Sequence, residues 1–436
     1  MKNSTFRDAD PIDFNACVGN NGVVNYLTYA KGFSNAANLI LDQVIQTNGN
    51  NVDSFIYPIC FNMRHSIELR LKSAIEEISI LAHIKSLKLN DFNLAGSHDI
   101  GNIWGYFETN SENLDHRYKK INDIIKTTIL DIAEIDPTGQ TFRYPFDTEN
   151  KKHLTEQRLI NCLILKSAFL ELERNLDNLD YLNKMLIEEY KIGSYVGKLS
   201  RSQIFNLVAK IPAREKWCTD LNKTAIKAQY NLSSNKELIK VLNFIQNNYE
   251  ISSKIGVKKD LIALPDDLIL EICSAWVSFF HTDLDSLNMQ GSLLINESDL
   301  FKPPKFGEIL EYFEQKKLVN NTFQQKINLD LVADLWSLFY LSRDHYNYSE
   351  SYLWLYESYL VEIKNESSLL DAFDHVFFKT NFLRKIIRSL FFLQQIELAE
   401  KIVSTLSLEK MFPELISKAR NRTLFQKWEY LDYQVY

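Results

Sequence analysis

Apolar residues recur every three or four positions along most of this chain, the spacing that places side chains on one face of an α-helix. From Val24 to Ile45 the stripe runs through Leu27, Ala30, Phe33, Ala37, Leu41 and Val44, and it stops at Asn48-Gly49-Asn50. A second helix is predicted from about Ser54 to Ile84; Pro58 lacks an N–H and fits only near its first turn. A third covers Leu114 to Ile135 and ends ahead of Asp136-Pro137-Thr138-Gly139, a turn by composition. The fourth, Thr155 to Ile187, keeps a heptad-like rhythm through Leu159, Cys162, Phe169, Leu172, Leu176 and Leu179. A shorter helix starts at His98-Asp99, with Ile100, Ile103, Trp104 and Phe107 on one face. Amphipathic helices joined by short loops predict a helical bundle over residues 1–190.

Past a connection at Tyr190–Gly197 the same spacing marks shorter helices: Ser202–Ile211, Glu215–Tyr230, Lys236–Glu250 and Leu268–Phe280. After a loop around Lys302-Pro303-Pro304-Lys305 it resumes at Phe306–Lys317, Leu329–Leu341, Tyr352–Lys364, Leu369–Phe392 and Ile396–Leu406. No repeat has a fixed period, although helix pairs in the last third are able to stack as in a solenoid. No segment alternates at period two. The expected class is therefore all-α, with a bundle followed by a multi-helix region over 195–436.

Composition agrees. A length of 436 residues favours two or three domains, and 13 Gly with 9 Pro disfavour a turn-dense β fold. The five cysteines lie far apart without a Cys-x-x-Cys pair, which suits buried thiols in a reducing compartment. The N-terminal residues carry no apolar signal core, and no uncharged run approaches the ~20 residues of a membrane span. A soluble, cytoplasmic protein without membrane contact is expected.

The net charge of −7 hides a segregation. Residues 1–190 hold 19 Lys+Arg against 26 Asp+Glu, whereas 195–259 hold 12 against 4. The balance reverses to 7 against 20 over 260–375 and returns to 10 against 6 over 376–436. Pairing of the basic 195–259 block with the acidic 260–375 block, within or between chains, explains this most simply.

The candidate chemistry centres on Phe55–Lys72, which sets Arg64, His65, Glu68, Arg70 and Lys72 inside an otherwise core-forming helix. His65, Glu68 and Lys72 line one side, and Glu68 is placed to pair with both Arg64 and Lys72. Phe61, Ile67, Leu71, Ala74 and Ile75 form the apolar stripe beside them. Such a ladder is either a ligand site or a structural ion-pair seam. His98 is either a second histidine of that site or, with Asp99, a helix cap. Arg143-Tyr144-Pro145 is either a phosphate partner or a loop clamp in which Arg143 reaches Glu68.

Elsewhere, Lys210, Arg214 and Lys216 surround Trp217, residue types that handle RNA phosphates and bases, with contact to the acidic block as the alternative. Ser342-Arg343-Asp344-His345-Tyr346-Asn347-Tyr348 gathers acid/base residue types without a spacing that demands catalysis. Phosphate-binding glycine loops, dinucleotide fingerprints, the serine-hydrolase elbow, the H-E-x-x-H pair and zinc-spaced Cys/His sets are all missing. Neither a cofactor nor a metal is expected.

Three ordered segments resemble the HEPN superfamily, in the branch common among bacterial defence genes. They are Tyr57-Pro58 with Arg64-His65-Ser66-Ile67-Glu68-Leu69 and Leu71-Lys72; Ser97-His98-Asp99-Ile100 with Ile103-Trp104; and Asp136-Pro137, Gly139 and Phe142-Arg143-Tyr144-Pro145-Phe146-Asp147. Their order and spacing fit a four-helix bundle over about 20–190, while the remaining chain resembles no family. The resemblance implies a homodimer through the bundle and, in active members, metal-independent endoribonuclease chemistry by an Arg-x(4–6)-His pair. Here Arg64 and His65 are adjacent, and no Arg precedes a His at that spacing. If the chain is active, His65 is the acid/base candidate, with Arg64, Glu68 and His98 beside it and Lys72 and Arg143 as phosphate partners. The role implied is anti-phage defence through RNA. The alternative is a non-catalytic interaction or sensor subunit that dimerises through the bundle and binds a protein partner through its C-terminal helices.

Overall fold

The computed structural model describes residues 3–287, 306–342, 346–425 and 429–432. Among these the only β features are two isolated bridges, Phe146 with Lys152 and Val196 with Leu199, so the fold is all-α. The chain divides into two compact units, Met1–Lys191 and Ile192–Tyr436.

The first unit comprises α1 (Tyr26–Gln46), α2 (Val52–Ile84), α3 (Ile100–Leu114), α4 (Tyr118–Ile135) and α5 (Cys162–Lys191). Side-chain caps start three of them. Asn25 accepts from the Thr28 amide at 2.7 Å, Asp99 from Asn102 at 2.9 Å and Asn161 from Leu163 at 2.9 Å. Helix α1 ends where Asn48 and Gly49 turn left-handed, and the Gly49 amide bonds the Val44 carbonyl at 2.8 Å.

Helix α2 is the axis of the unit and packs on α1, α3 and α5. Residues 66–72 are buried on every face, so its charged side chains have to be paired inside the protein. Pro58 lies inside α2 rather than at its first turn, because the helix already begins at Val52. The expected start of the fourth helix at Thr155 is also corrected. Leu154 has φ +56°, residues 154–161 run as an irregular strap, and Asn161 caps the helix instead.

A second polar centre joins the start of α4 to the end of α5. Arg117 is fully buried and meets Asp115 at 2.9 Å and Glu189 at 2.6 Å, while the Tyr190 hydroxyl donates to Asp115 at 2.8 Å. Burial pushes the Asp115 carboxyl up, but the Arg117 charge and hydrogen bonds outweigh it and hold the group below the usual range.

The second unit opens with short helices: α6 (Arg201–Val208), α7 (Trp217–Asp220), α8 (Lys223–Gln229), α9 (Asn235–Asn247) and α10 (Tyr249–Ser252). Then come α11 (Asp266–Leu287), α12 (Phe306–Phe323), α13 (Leu329–Leu341) and α14 (Ser351–Glu362). Helices α15 (Leu369–Phe377), α16 (Phe382–Phe392), α17 (Ile396–Thr405) and α18 (Pro413–Arg420) complete it. The single helix expected over Glu215–Tyr230 is broken because Asn222 caps α8, accepting from Ala225 at 3.0 Å. The one expected over Leu369–Phe392 is broken at Lys379, whose carbonyl takes the Trp276 indole N–H at 3.2 Å and the Phe382 amide at 2.9 Å.

Every residue of α13 from Leu331 to Leu341 is buried, against α14, α15 and α16. Within that helix Asp334 accepts the Ala263 and Leu264 amides at 2.7 and 2.9 Å and the Tyr352 hydroxyl. Arg201, fully buried, pairs with Glu250 and Glu350, and Lys258 meets Asp266 at 3.0 Å. Arg201–Glu350 and Lys258–Asp266 thus join the basic 195–259 block to the acidic 260–375 block within one chain. Arg343, Asp344 and His345, and the Lys302–Lys305 loop, lie outside the described residues. No helix among the described residues is long and apolar enough to cross a membrane.

Candidate functional site

The enclosed stretch of α2 is organised around one carboxylate. Glu68 Oε1 accepts from Lys72 Nζ at 2.9 Å and lies 3.0 Å from Nδ1 of His98, which comes from the turn before α3. Its Oε2 takes the Arg64 guanidinium and has Nδ1 of His65 at 3.9 Å. The helical spacing of residues 64, 65, 68 and 72 makes this convergence possible. Burial alone pushes Glu68 up. The His65, Lys72 and His98 contacts and the Arg64 charge outweigh that and hold it well below the usual carboxylate range. Glu68 is therefore ionised at neutral pH.

Arg64 has further partners. Its Nε donates to the Asp136 carbonyl at 3.1 Å and its Nη2 to the carbonyls of Pro137, at 2.6 Å, and His98. Asp136 in turn accepts the Thr141 amide at 3.1 Å, and Gly139 (φ +76°) lets the backbone pass against the guanidinium. Arg64 and Lys72 are both enclosed, so neither presents its charge at the surface as a phosphate partner would. For these two residues the ladder is a structural seam.

The two histidines stand differently. The His65 imidazole packs edge-on to Phe33 at 4.5 Å and parallel to Phe61 at 5.7 Å, with 29% of its side chain exposed. That of His98 is 61% exposed while its Nδ1 faces the buried carboxylate. A nitrogen facing an ionised carboxylate carries the proton, which leaves Nε2 as the basic nitrogen of a neutral His98. The helix cap is Asp99, not His98.

Arg143 does not reach Glu68. It lies 5.5 Å over the Phe61 ring, 5.1 Å from the Tyr144 ring, and donates to the Tyr144 hydroxyl at 3.1 Å. Arg143 and Tyr144 are both exposed, so Phe61 connects an exposed cation to His65. Phe33, Phe61 and the carbonyls of residues 136 and 137 complete the surroundings. The aromatic residues were visible in the sequence only as helix positions, and the carbonyls leave no mark there; Gly139 was the sole hint.

Beside Arg64 a mainly apolar cavity of about 360 Å³ opens between Cys60 and Met63 of α2, Ile132 of α4, Phe142, and Leu159 and Phe169. Burial pushes the Cys60 thiol up to about 12, so it is not a thiolate nucleophile at neutral pH.

Lys210, Arg214, Lys216 and Trp217 belong to the second unit. Trp217 is buried and donates its indole N–H to the Pro212 carbonyl at 2.9 Å, which corrects its expected part as an exposed stacking platform. Arg214 covers that ring at 4.9 Å and bonds Gln246 at 2.5 Å. Lys210 lies 5.9 Å from the Tyr230 ring, and Lys216 is exposed on a 3-10 turn. Among the described residues no group of three or more His, Cys, Asp or Glu is arranged to hold a metal ion. Neither a family model, a curated protein nor a solved structure matches this chain.

Proposed function

We propose that residues 1–191 are a HEPN-like, dimer-forming bundle that cleaves RNA without a metal, and that the chain serves prokaryotic defence against phage. The observation that carries this reading is the meeting of two partly exposed imidazoles, His65 and His98, at the single buried carboxylate of Glu68. In this reading His98 Nε2 removes the proton of a ribose 2′-OH, and Glu68 stabilises the imidazolium that forms. The 2′-oxygen attacks the adjacent phosphorus. The 5′-oxygen departs with a proton from His65, leaving a 2′,3′-cyclic phosphate and a 5′-hydroxyl. Arg143 and Tyr144, exposed beside Phe61, serve the phosphate in place of the enclosed Arg64 and Lys72.

The test is cleavage of single-stranded RNA or tRNA by the purified protein in excess chelator. His98→Ala and His65→Ala are each expected to lower the rate about 10²-fold or more with the fold retained. Undiminished cleavage in His98→Ala removes the Glu68–His98 pair from the mechanism.

A second reading, a non-catalytic subunit that binds a protein partner, is favoured by one feature. Leu159, Leu163 and Ile164 stand exposed around the start of α5, beside the apolar cavity. Affinity purification from infected cells checks it, and recovery of the bare chain counts against it.

A further inference from the structure

The second unit contains a cavity of about 510 Å³ that plays no part in the reading above. Its volume falls in the ~300–1,000 Å³ range of small-molecule sites. Ile396 gives it an exposed apolar side chain, with the buried Phe391 and Ala419 behind, and Lys254 and Arg422 stand on its lining as cations. Neither of these two has a carboxylate in salt-bridge contact among the described residues. By contrast Arg420, on the same lining, is held by Glu400 at 2.7 Å and Glu409 at 3.1 Å. Lys254 and Arg422 are both exposed, and partial burial and then the like charge of Arg422 lower the Lys254 ammonium, while the buried Glu250, already paired with Arg201, pulls the other way.

The backbone adds a second, independent sign. Gln394 and Arg422 both line this cavity, and both hold left-handed dihedrals, φ +58° and +57°, just past helix ends. Glycine is the least strained residue there, and Asn or Ser fills several equivalent positions in this chain, such as Asn48, Ser86 and Ser407. Arg422 therefore occupies a position that glycine would hold with less strain. A smaller cleft of about 260 Å³ shares Ser253, Gln394 and Ile396 with the cavity and brings Lys258 and Lys259 to its other side.

We propose that this cavity binds a small phosphate-bearing anion of nucleotide size, its phosphate between Lys254 and Arg422 and its less polar portion against Ile396. An anion placed there supplies the counter-charge that both cations lack.

Calorimetric titration of the full chain with AMP, and separately with inorganic phosphate, at low ionic strength tests this. AMP is expected to bind at one site per chain, with phosphate binding more weakly and competing. Lys254→Gln is expected to weaken AMP about tenfold or more, whereas Lys364→Gln, on an exposed turn, leaves it unchanged. Arg422→Gly separates binding from folding, because it relieves the left-handed residue: thermal stability is expected to hold or rise while AMP binding falls. Absence of AMP binding at millimolar concentration, binding untouched by both substitutions, or binding of long RNA alone would overturn the proposal.

Discussion

A Cβ built on Gly139 would lie 3.3 Å from Nη1 of Arg64, at a residue whose φ of +76° already disfavours any L side chain. Gly139→Ala is therefore expected to cost the first unit about 1–2 kcal/mol. Arg64→Lys is expected to cost more, about 3–5 kcal/mol, since one ammonium cannot hold Glu68 and three separate carbonyls together. Trp104 is the only one of the six tryptophans within residues 1–191, so in a chain whose other five are replaced by Phe its fluorescence during urea unfolding reports this unit. Native-like unfolding of Arg64→Lys would show that the clamp contributes little.

Acid should unfold the first unit through Glu68 and Asp115. Both carboxyls are held below their ordinary values of 4.5 and 3.8 in the folded chain. Their stabilisation is thus complete above those values and drains away as pH falls beneath them. Glu68→Gln is expected to flatten this acid limb and to cost about 3–5 kcal/mol at neutral pH, leaving Arg64 and Lys72 buried without their carboxylate. His98→Ala, mostly exposed, is expected to shift neutral stability by only about 0.5 kcal/mol. Melting curves from pH 3 to 7 separate the two variants.

Glu77 works in the opposite direction. Burial pushes it up to about 7 against a hydrogen bond from Asn183, and nearby Asp180 adds to the rise. The folded chain keeps a proton that the unfolded chain releases near 4.5, so stability declines as pH climbs from there through about 7. Glu77→Gln can still accept from Asn183 and is expected to raise the melting temperature at pH 8 while changing little at pH 4.5. A variant no more stable than the native chain at pH 8 would show that Glu77 does not carry this penalty.

In the second unit, burial pushes Asp334 up to about 6 despite the Tyr352 hydroxyl and two backbone amides. Tyr352→Phe removes one of these donors and raises the carboxyl further. The expected cost is about 1–3 kcal/mol. It should grow as pH rises from 4 to 8, because the folded chain is then forced to ionise a less satisfied carboxyl. A pH-independent deficit would assign the loss to packing instead.

The sequence carries local rules well and contacts between distant segments poorly. Asn48-Gly49 and the apolar stripe before them locate the end of α1 almost to the residue, whereas the start expected at Val24 moves to Tyr26 because Asn25 is the cap. The Arg64-Glu68-Lys72 ladder follows from spacing alone. Thr155 misleads because the heptad rhythm continues through Leu159 while Leu154 turns left-handed and Asn161 supplies the cap. From the sequence Arg143 could equally have met Glu68 or a phosphate, and the path of residues 136–146 instead delivers it to Phe61. Trp217 reads as a stacking residue by its neighbours, yet its environment is set by Pro212 and a core gathered from α6 to α10.

The guanidinium of Arg64 touches the carbonyls of His98, Asp136 and Pro137 at once, and the Ile100 amide also bonds the Pro137 carbonyl at 2.9 Å. The turn that presents His98 has local bonds from Gly96 and Ser97 to Asn93, but its pose also depends on a loop almost forty residues downstream. Substitutions confined to that loop should retune the histidine remotely. One enclosed side chain thus ties together two turns that lie far apart in the sequence.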